Sequence, residues 1–249
     1  VTSFKKILMS AIAMTVLAAP LHAKAEPFTP EQKGALEDFV RDFIMKNPEV
    51  LIDSVNQMHA KEAQKQEEAA KAALKDMSDF FYKNDKLPQI GNPKGDMTVV
   101  EFFDYNCGYC KRALDAVKKT VESDKNVRVV FIDLPILSPQ SETAAKWALA
   151  SNKQGKYWEF HQAMMESTAP KTEETMSEIA QTAGLDVEKL KKDAEGEDIT
   201  AELAANRAAA QKLQITGTPA FIIGEEILRG FVEYEGFKAI ISDERKKAK

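Results

Sequence analysis

Apolar positions along the chain switch repeatedly between helical and strand periods. Leu36, Phe39, Val40, Phe43 and Ile44 fall on one helical face. Thr29 suits the N-cap of that helix, Pro30 its first position, and Gln32 completes a T-x-x-Q capping box. Asn47-Pro48 ends it, and Leu51, Val55 and Met58 set a stripe on a second helix. The stripe fades into a polar run, Lys61 to Lys75, without Gly or Pro and full of helix formers. Lys83 to Asp96 is turn-rich and reads as a connection. Two near-continuous apolar runs follow, Thr98 to Phe103 and Val127 to Pro135, and both predict strands. A helix is expected from Cys107 onward. From Pro139 to Gln214 the pattern is helical, with a break at Gly184 to Asp186. "TPAFIIG" and "EEILRG" predict a hairpin turning at Gly224-Glu225. A last helix carries Phe237, Ile240 and Ile241 on one face. The order β-α-β, helices, β-β-α implies an α/β fold with one sheet flanked by helices.

The first residues carry a different signal. Lys5 and Lys6 form a basic start, Ile7 to Leu17 is apolar, and Ala23-Lys24-Ala25 fits a cleavage site. Residues 1–25 read as a secretory signal peptide cleaved near Ala25, because the apolar run is too short to span a bilayer as an anchor. They hold three lysines and no acid, so the formal net charge without them moves from −5 to −8. A chain this acidic argues against nucleic acid and against an anionic membrane surface as partner. The expected location is the periplasm, where disulfides persist. The remaining chain divides into a helical region, 26–85, and a larger domain, 86–249. The exposed stripe of the first needs a cover, and a second copy of the chain is expected to supply it. Removal of 26–82 is expected to leave a folded monomer.

Cys107 and Cys110 are the chain's two cysteines, in "FFDYNCGYCKR". Four readings of this C-x-x-C compete. A two-residue loop constrains the unfolded chain too little to be a useful staple. A structural zinc site wants four ligands, and beyond the pair only His59 and His161 follow the signal segment; no metal is expected. Haem attachment needs a histidine where Lys111 stands. A redox dithiol remains, at a strand-to-helix turn that favours a thiolate on Cys107. Cys107 is then the exposed nucleophile and Cys110 the resolving thiol. Glu101, within the apolar "VVEFF", is either a buried proton relay or a residue on a solvated face.

"VVEFFDYNCGYC" resembles the active-site strand of the DsbA superfamily, and "TGTPAF", Thr216 to Phe221, resembles its cis-proline loop. The resemblance spans about residues 86–249. It implies a thioredoxin fold with a helical insertion at about 138–214, here preceded by a helical oligomerisation arm. It implies catalytic roles for Cys107, Cys110 and Glu101, and substrate contacts at Gly108, Tyr109, Thr218 and Pro219. Gly108-Tyr109 and Thr218 depart from the oxidase type and are similar to the isomerases DsbC and DsbG. The arm looks more like the ScsC and Com-antigen branch, whose members form dimers or trimers.

The expected function is therefore thiol-disulfide exchange on unfolded or misfolded secreted proteins, as isomerase, oxidase or both, with no cofactor. The expected partners are a membrane redox protein of the DsbB or DsbD kind and further copies of the chain, two being favoured over three. Lacking a histidine between its cysteines, the site is expected to be a milder oxidant than a dedicated oxidase. Trp147, Tyr157 and Trp158 are expected in the core of the insertion. Two rival readings are an oligomeric holdase or surface antigen, and a copper-stress thiol protein.

Overall fold

The computed structural model describes residues 28–247; the expected signal peptide lies outside them. The chain divides into two units, one ending at Met58 and one beginning at His59.

The first unit holds α1, Pro30–Lys46, and the start of α2, Glu49–Asp76. Thr29 caps α1 through its side chain, and the Gln32 side chain returns the bond to the Thr29 N–H. Asn47 closes α1 through its own N–H and side-chain amide, both bonded to the Phe43 carbonyl. No residue of α1 is buried. Phe39 is 66% exposed, and Leu36, Val40, Phe43, Leu51, Val55 and Met58 are exposed as well.

The second unit is built on a five-stranded sheet in the order β1-β3-β2-β4-β5. The strands are β1, Gln89–Gly91; β2, Met97–Phe103; β3, Val127–Asp133; β4, Ala220–Ile223; and β5, Glu226–Arg229. Strands β2 and β3 are parallel, joined by a crossover through α4, Gly108–Ser123. The other pairings are antiparallel. Five helices, α5 to α9, fill Pro139–Lys212 between β3 and β4, and α10, Tyr234–Lys247, closes the chain.

Side chains alternate across the sheet with period two. Val99, Phe103, Val129, Phe131, Phe221 and Ile223 pack on one face, with α4, α10 and much of the insertion. Val100, Phe102, Val130, Ile132, Ala220 and Ile222 pack on the other, against Ala209 and Ala210 of α9, Glu197–Lys212, and Leu213 at its C-cap. That second face is also covered by Ala70 and Leu74 of α2 and by Phe81 of α3, Ser78–Tyr82. The stretch 59–85, read from sequence with the arm, thus belongs to the second unit. The physical reason is Phe81, fully buried with its ring 5.9 Å from that of Phe102. Strand β1 lies inside the stretch read as a connection.

A chain starting at His59 is expected to fold as the full chain does. One starting at Lys83 lacks Leu74 and Phe81 and is expected to be less stable by roughly 3–6 kcal/mol, from burial of two large apolar side chains. Urea unfolding of both checks this; equal stabilities would mean that the end of α2 and α3 contribute nothing to the core.

Candidate active site

Strand β2 runs out of the sheet into Asp104-Tyr105-Asn106, and Cys107 is the N-cap of α4. Asp104 shapes this turn. Its carboxylate accepts from the Asn106 N–H at 2.7 Å, from the Ser141 hydroxyl at 2.7 Å, and from the N–H groups of Ile136 and Leu137 at 2.9 and 3.0 Å. One buried carboxylate thereby ties the cysteine loop to the loop after β3.

The cap is a sulfur. Cys107 Sγ accepts from the Cys110 N–H at 3.3 Å and lies 3.3 Å from the Thr218 carbonyl, to which its thiol donates. Both cysteines are free thiols. Cys107 is 6% exposed and Cys110 1%. The sequence predicts an exposed Cys107, and the structure instead buries it, though less deeply than Cys110. The Thr218 main chain, entering Pro219 through a cis bond, covers Cys107.

The two thiols have opposite character. The Cys107 pKa is lowered to about 6, chiefly by a hydrogen bond from the Cys110 thiol, and further by Thr218 and the N–H groups of Cys110 and Tyr109. The Thr218 hydroxyl is buried without a hydrogen-bond partner. Cys110 is raised far above the usual thiol range by burial, by the Cys107 bond and by the Glu101 charge. The lowering on Cys107 exceeds the roughly one unit that a helix dipole supplies, because side-chain donors add to it.

Glu101 faces inward from the middle of β2, 2% exposed. Burial, and secondly the Cys107 charge, push its pKa up to about 8. The solvated-face reading open from sequence is excluded, since the side chain is buried. His161, on α6 (Tyr157–Glu166), is 1% exposed, and burial holds it neutral with a pKa lowered to about 3. Its Nδ1 lies 3.0 Å from the Tyr105 hydroxyl. Trp147 and Tyr157 are buried, and Trp158 packs on Phe131.

Gly108 and Tyr109 are exposed, Thr218 is half-buried and Pro219 is buried. Sequence reasoning missed two further neighbours. The Arg112 guanidinium lies 4.7 Å from the centre of the Phe231 ring and 5.4 Å from that of Tyr109, which is 58% exposed. A shallow cavity of about 250 Å³ lies along Thr216, Gly217, Thr218, Pro219, Arg229 and Gly230. Arg112 and Phe231 carry no motif. Asp104 could have been flagged as an Asx-turn residue two positions before Asn106. Among the described residues no group of three or more His, Cys, Asp or Glu side chains is placed to hold a metal ion.

Comparison with known proteins agrees with this geometry. Residues 98–242 match the DSBA-like thioredoxin domain, and the chain belongs to that family. Residues 32–70 match the copper resistance protein ScsC N-terminal domain. A thioredoxin-like oxidoreductase from Silicibacter pomeroyi DSS-3 is 43% identical, with a TM-score of 0.66 over 68% of this chain and 97% of that one. A linker-deletion variant of Proteus mirabilis ScsC is 25% identical, with a TM-score of 0.67 over 90% of this chain and 99% of that one. Disulfide bond formation protein D of Bacillus subtilis is 26% identical over 175 residues, 64% of this chain and 77% of that protein. The chain also matches Na(+)/H(+) antiporters of Salinispora, of whose length it spans about a quarter (24%).

Two outcomes follow from these shifted pKa values. Alkylation of the reduced protein by iodoacetamide is expected to rise with a midpoint near pH 6 and to fall on Cys107; a midpoint above 8 would remove the thiolate. Glu101→Gln is expected to stabilise the protein. A carboxyl whose pKa is raised on folding contributes stability below its unfolded value of 4.5 and loses it as pH rises through about 8. The gain on substitution therefore grows across that window, reaching about 2 kcal/mol or more at pH 8. Urea unfolding at pH 4, 6 and 8 measures it, and a gain independent of pH would contradict the burial of an ionisable Glu101.

Proposed function

We propose that this protein is a periplasmic thiol-disulfide oxidoreductase acting on unfolded secreted proteins, assembled into an oligomer by its N-terminal helices. The carrying observation is the pairing of two thiols of opposite character over one buried carboxyl: Cys107 ionises near pH 6 while Cys110 holds its proton. In the oxidised protein, a substrate thiolate attacks the Cys107 sulfur, and Cys110 leaves and takes up a proton. A second substrate thiolate then releases Cys107. In the isomerase direction the Cys107 thiolate attacks a wrong disulfide, and either a substrate thiol or Cys110 resolves the adduct. Glu101 handles the Cys110 proton in both directions. Gly108, Tyr109, Thr218 and Pro219 line the approach, and the Thr218 main chain offers an extended peptide a place beside the sulfur.

A low thiolate pKa stabilises the reduced form and makes the disulfide oxidising. That supports oxidation at least as well as isomerisation, despite the Gly-Tyr dipeptide. The dithiol would be reset by a membrane protein of the DsbB or DsbD kind.

The exposed stripe on α1 and α2 supports assembly. Burying three of its large side chains is worth roughly 5–9 kcal/mol, against an association cost of about 4–15 kcal/mol. The whole stripe is therefore needed, and two chains are favoured over three. Several dithiols around one cleft raise the effective concentration at a bound substrate, which serves isomerisation more than oxidation.

Cys107→Ser is expected to abolish both dithiol oxidation and refolding of a scrambled-disulfide substrate, and Cys110→Ser to accumulate mixed disulfides. Protection of unfolded protein that survives Cys107→Ser without any exchange in the parent protein would instead mark a holdase. Sedimentation of the full chain and of one starting at His59 tests assembly; a monomeric full chain would overturn it.

A further inference from the structure

At the end of the sheet away from the dithiol, strand β3 carries a buried cation. Arg128 stands between Val127 and Val129, in register with Gly91 of β1 and Thr98 of β2. It is 6% exposed. A guanidinium taken out of water is costly unless a counter-charge and hydrogen bonds offset the loss.

Three protein acceptors meet it. Nε donates to the Thr98 hydroxyl at 3.2 Å and Nη2 to the Tyr82 carbonyl at 3.0 Å, while Nη1 reaches the Gln89 side chain only at 3.5 Å. All three acceptors are neutral. A guanidinium has five N–H groups, so one on each terminal nitrogen has no protein acceptor. Among the described residues no carboxylate forms an ion pair with Arg128.

The nearby carboxylates are committed elsewhere. Asp96 is held by Arg245 at 2.6 Å. Glu244, 5% exposed, is held by Lys247 at 2.5 Å and accepts from the Glu225 N–H at 2.9 Å. Its carboxylate packs so closely on Gly224 that a side chain there would collide with it, and Glu244 thereby anchors the turn between β4 and β5. Tyr82, whose carbonyl binds Arg128, donates its hydroxyl to the Gly224 carbonyl at 3.3 Å. Arg128, Thr98, Tyr82, Gly224 and Glu244 line one cavity of about 540 Å³. That volume is in the range of small-ligand sites, and its wall holds a buried, fixed cation without a counter-charge.

We propose that this cavity binds an α-carboxylate, that of a free amino acid or of a peptide C-terminus, with Arg128 as the group that holds it. A carboxylate takes two guanidinium N–H groups at once, and Arg128 has two without a protein acceptor. It also brings the single negative charge that the guanidinium lacks. The acids Asp96, Glu225 and Glu244 line the same cavity and disfavour a doubly charged anion such as phosphate. Glu225 is exposed and has no ionic partner, so it suits an ammonium or amide N–H on the same ligand. The site is separate from the dithiol, because β2 and β3 begin at the cavity and end at the cysteine loop. It stands whichever way the dithiol works.

Calorimetric titration of the full chain with triglycine, triglycine amide, glycine and inorganic phosphate tests the proposal. Triglycine is expected to bind, and its amide to bind roughly tenfold more weakly or less still, as loss of a charge-assisted hydrogen bond predicts. Phosphate is expected to bind more weakly than triglycine. Glycine binding as tightly as triglycine assigns a free amino acid, and weaker glycine binding assigns a peptide end; both uphold the carboxylate. Arg128→Lys keeps the charge without the fork and is expected to lose roughly tenfold in affinity. In the parent, the Arg128 Nε–H resonance is expected to shift as triglycine is added, a readout that needs no variant to fold. Cys107→Ser is expected to bind triglycine as the parent does. No heat and no shift of that resonance with triglycine, equal binding of the amide, tighter binding of phosphate, or loss of binding in Cys107→Ser would each overturn the proposal.

Discussion

Strand β2 is hydrogen-bonded on both edges, to β3 in parallel and to β4 in antiparallel register, and the site depends on that double constraint. A strand pinned on two sides cannot slip, and a slip of one residue would exchange every side chain between the faces. The register puts Glu101 on the inner face beneath α4 while Phe102 fills the opposite core. It also delivers Cys107 to the start of the helix and holds Phe221, which leaves the Thr218 loop, across from Glu101. The carboxyl, the sulfur and the carbonyl thus share one origin in the sheet.

Charge inside this unit is managed by sharing. Cys107 gains hydrogen bonds from its partner thiol and from main-chain N–H groups, while Glu101 finds only an apolar wall and the sulfur's own negative charge. Each group raises the cost of ionising the other, so protons and electron pairs at the site move together. The stabilisation of the thiolate comes from short-range donors fixed by the turn, and that turn is in turn fixed by four hydrogen bonds to Asp104.

Much of this was legible from residue order. The strands β2 and β3, the hairpin of β4 and β5, the helical insertion, the break at Pro48 and the capping box at Thr29 all follow from periodicity and local chemistry. The C-x-x-C at a strand-to-helix junction named the two thiols, and the apolar company of Glu101 raised the question of its burial. What escaped had no local signature. Strand β1 is three residues long and exists because the edge of β3 pairs with it. Leu74 and Phe81 follow no helical or strand period long enough to mark them as core, and only the finished sheet gives them a surface.

The unequal depth of the two sulfurs has a consequence for traffic. Cys110, 1% exposed, lies deeper than Cys107, 6% exposed, so the outer sulfur is the one a group from another molecule meets first. The Thr218 main chain, lying on Cys107, narrows the approach to the outer sulfur further.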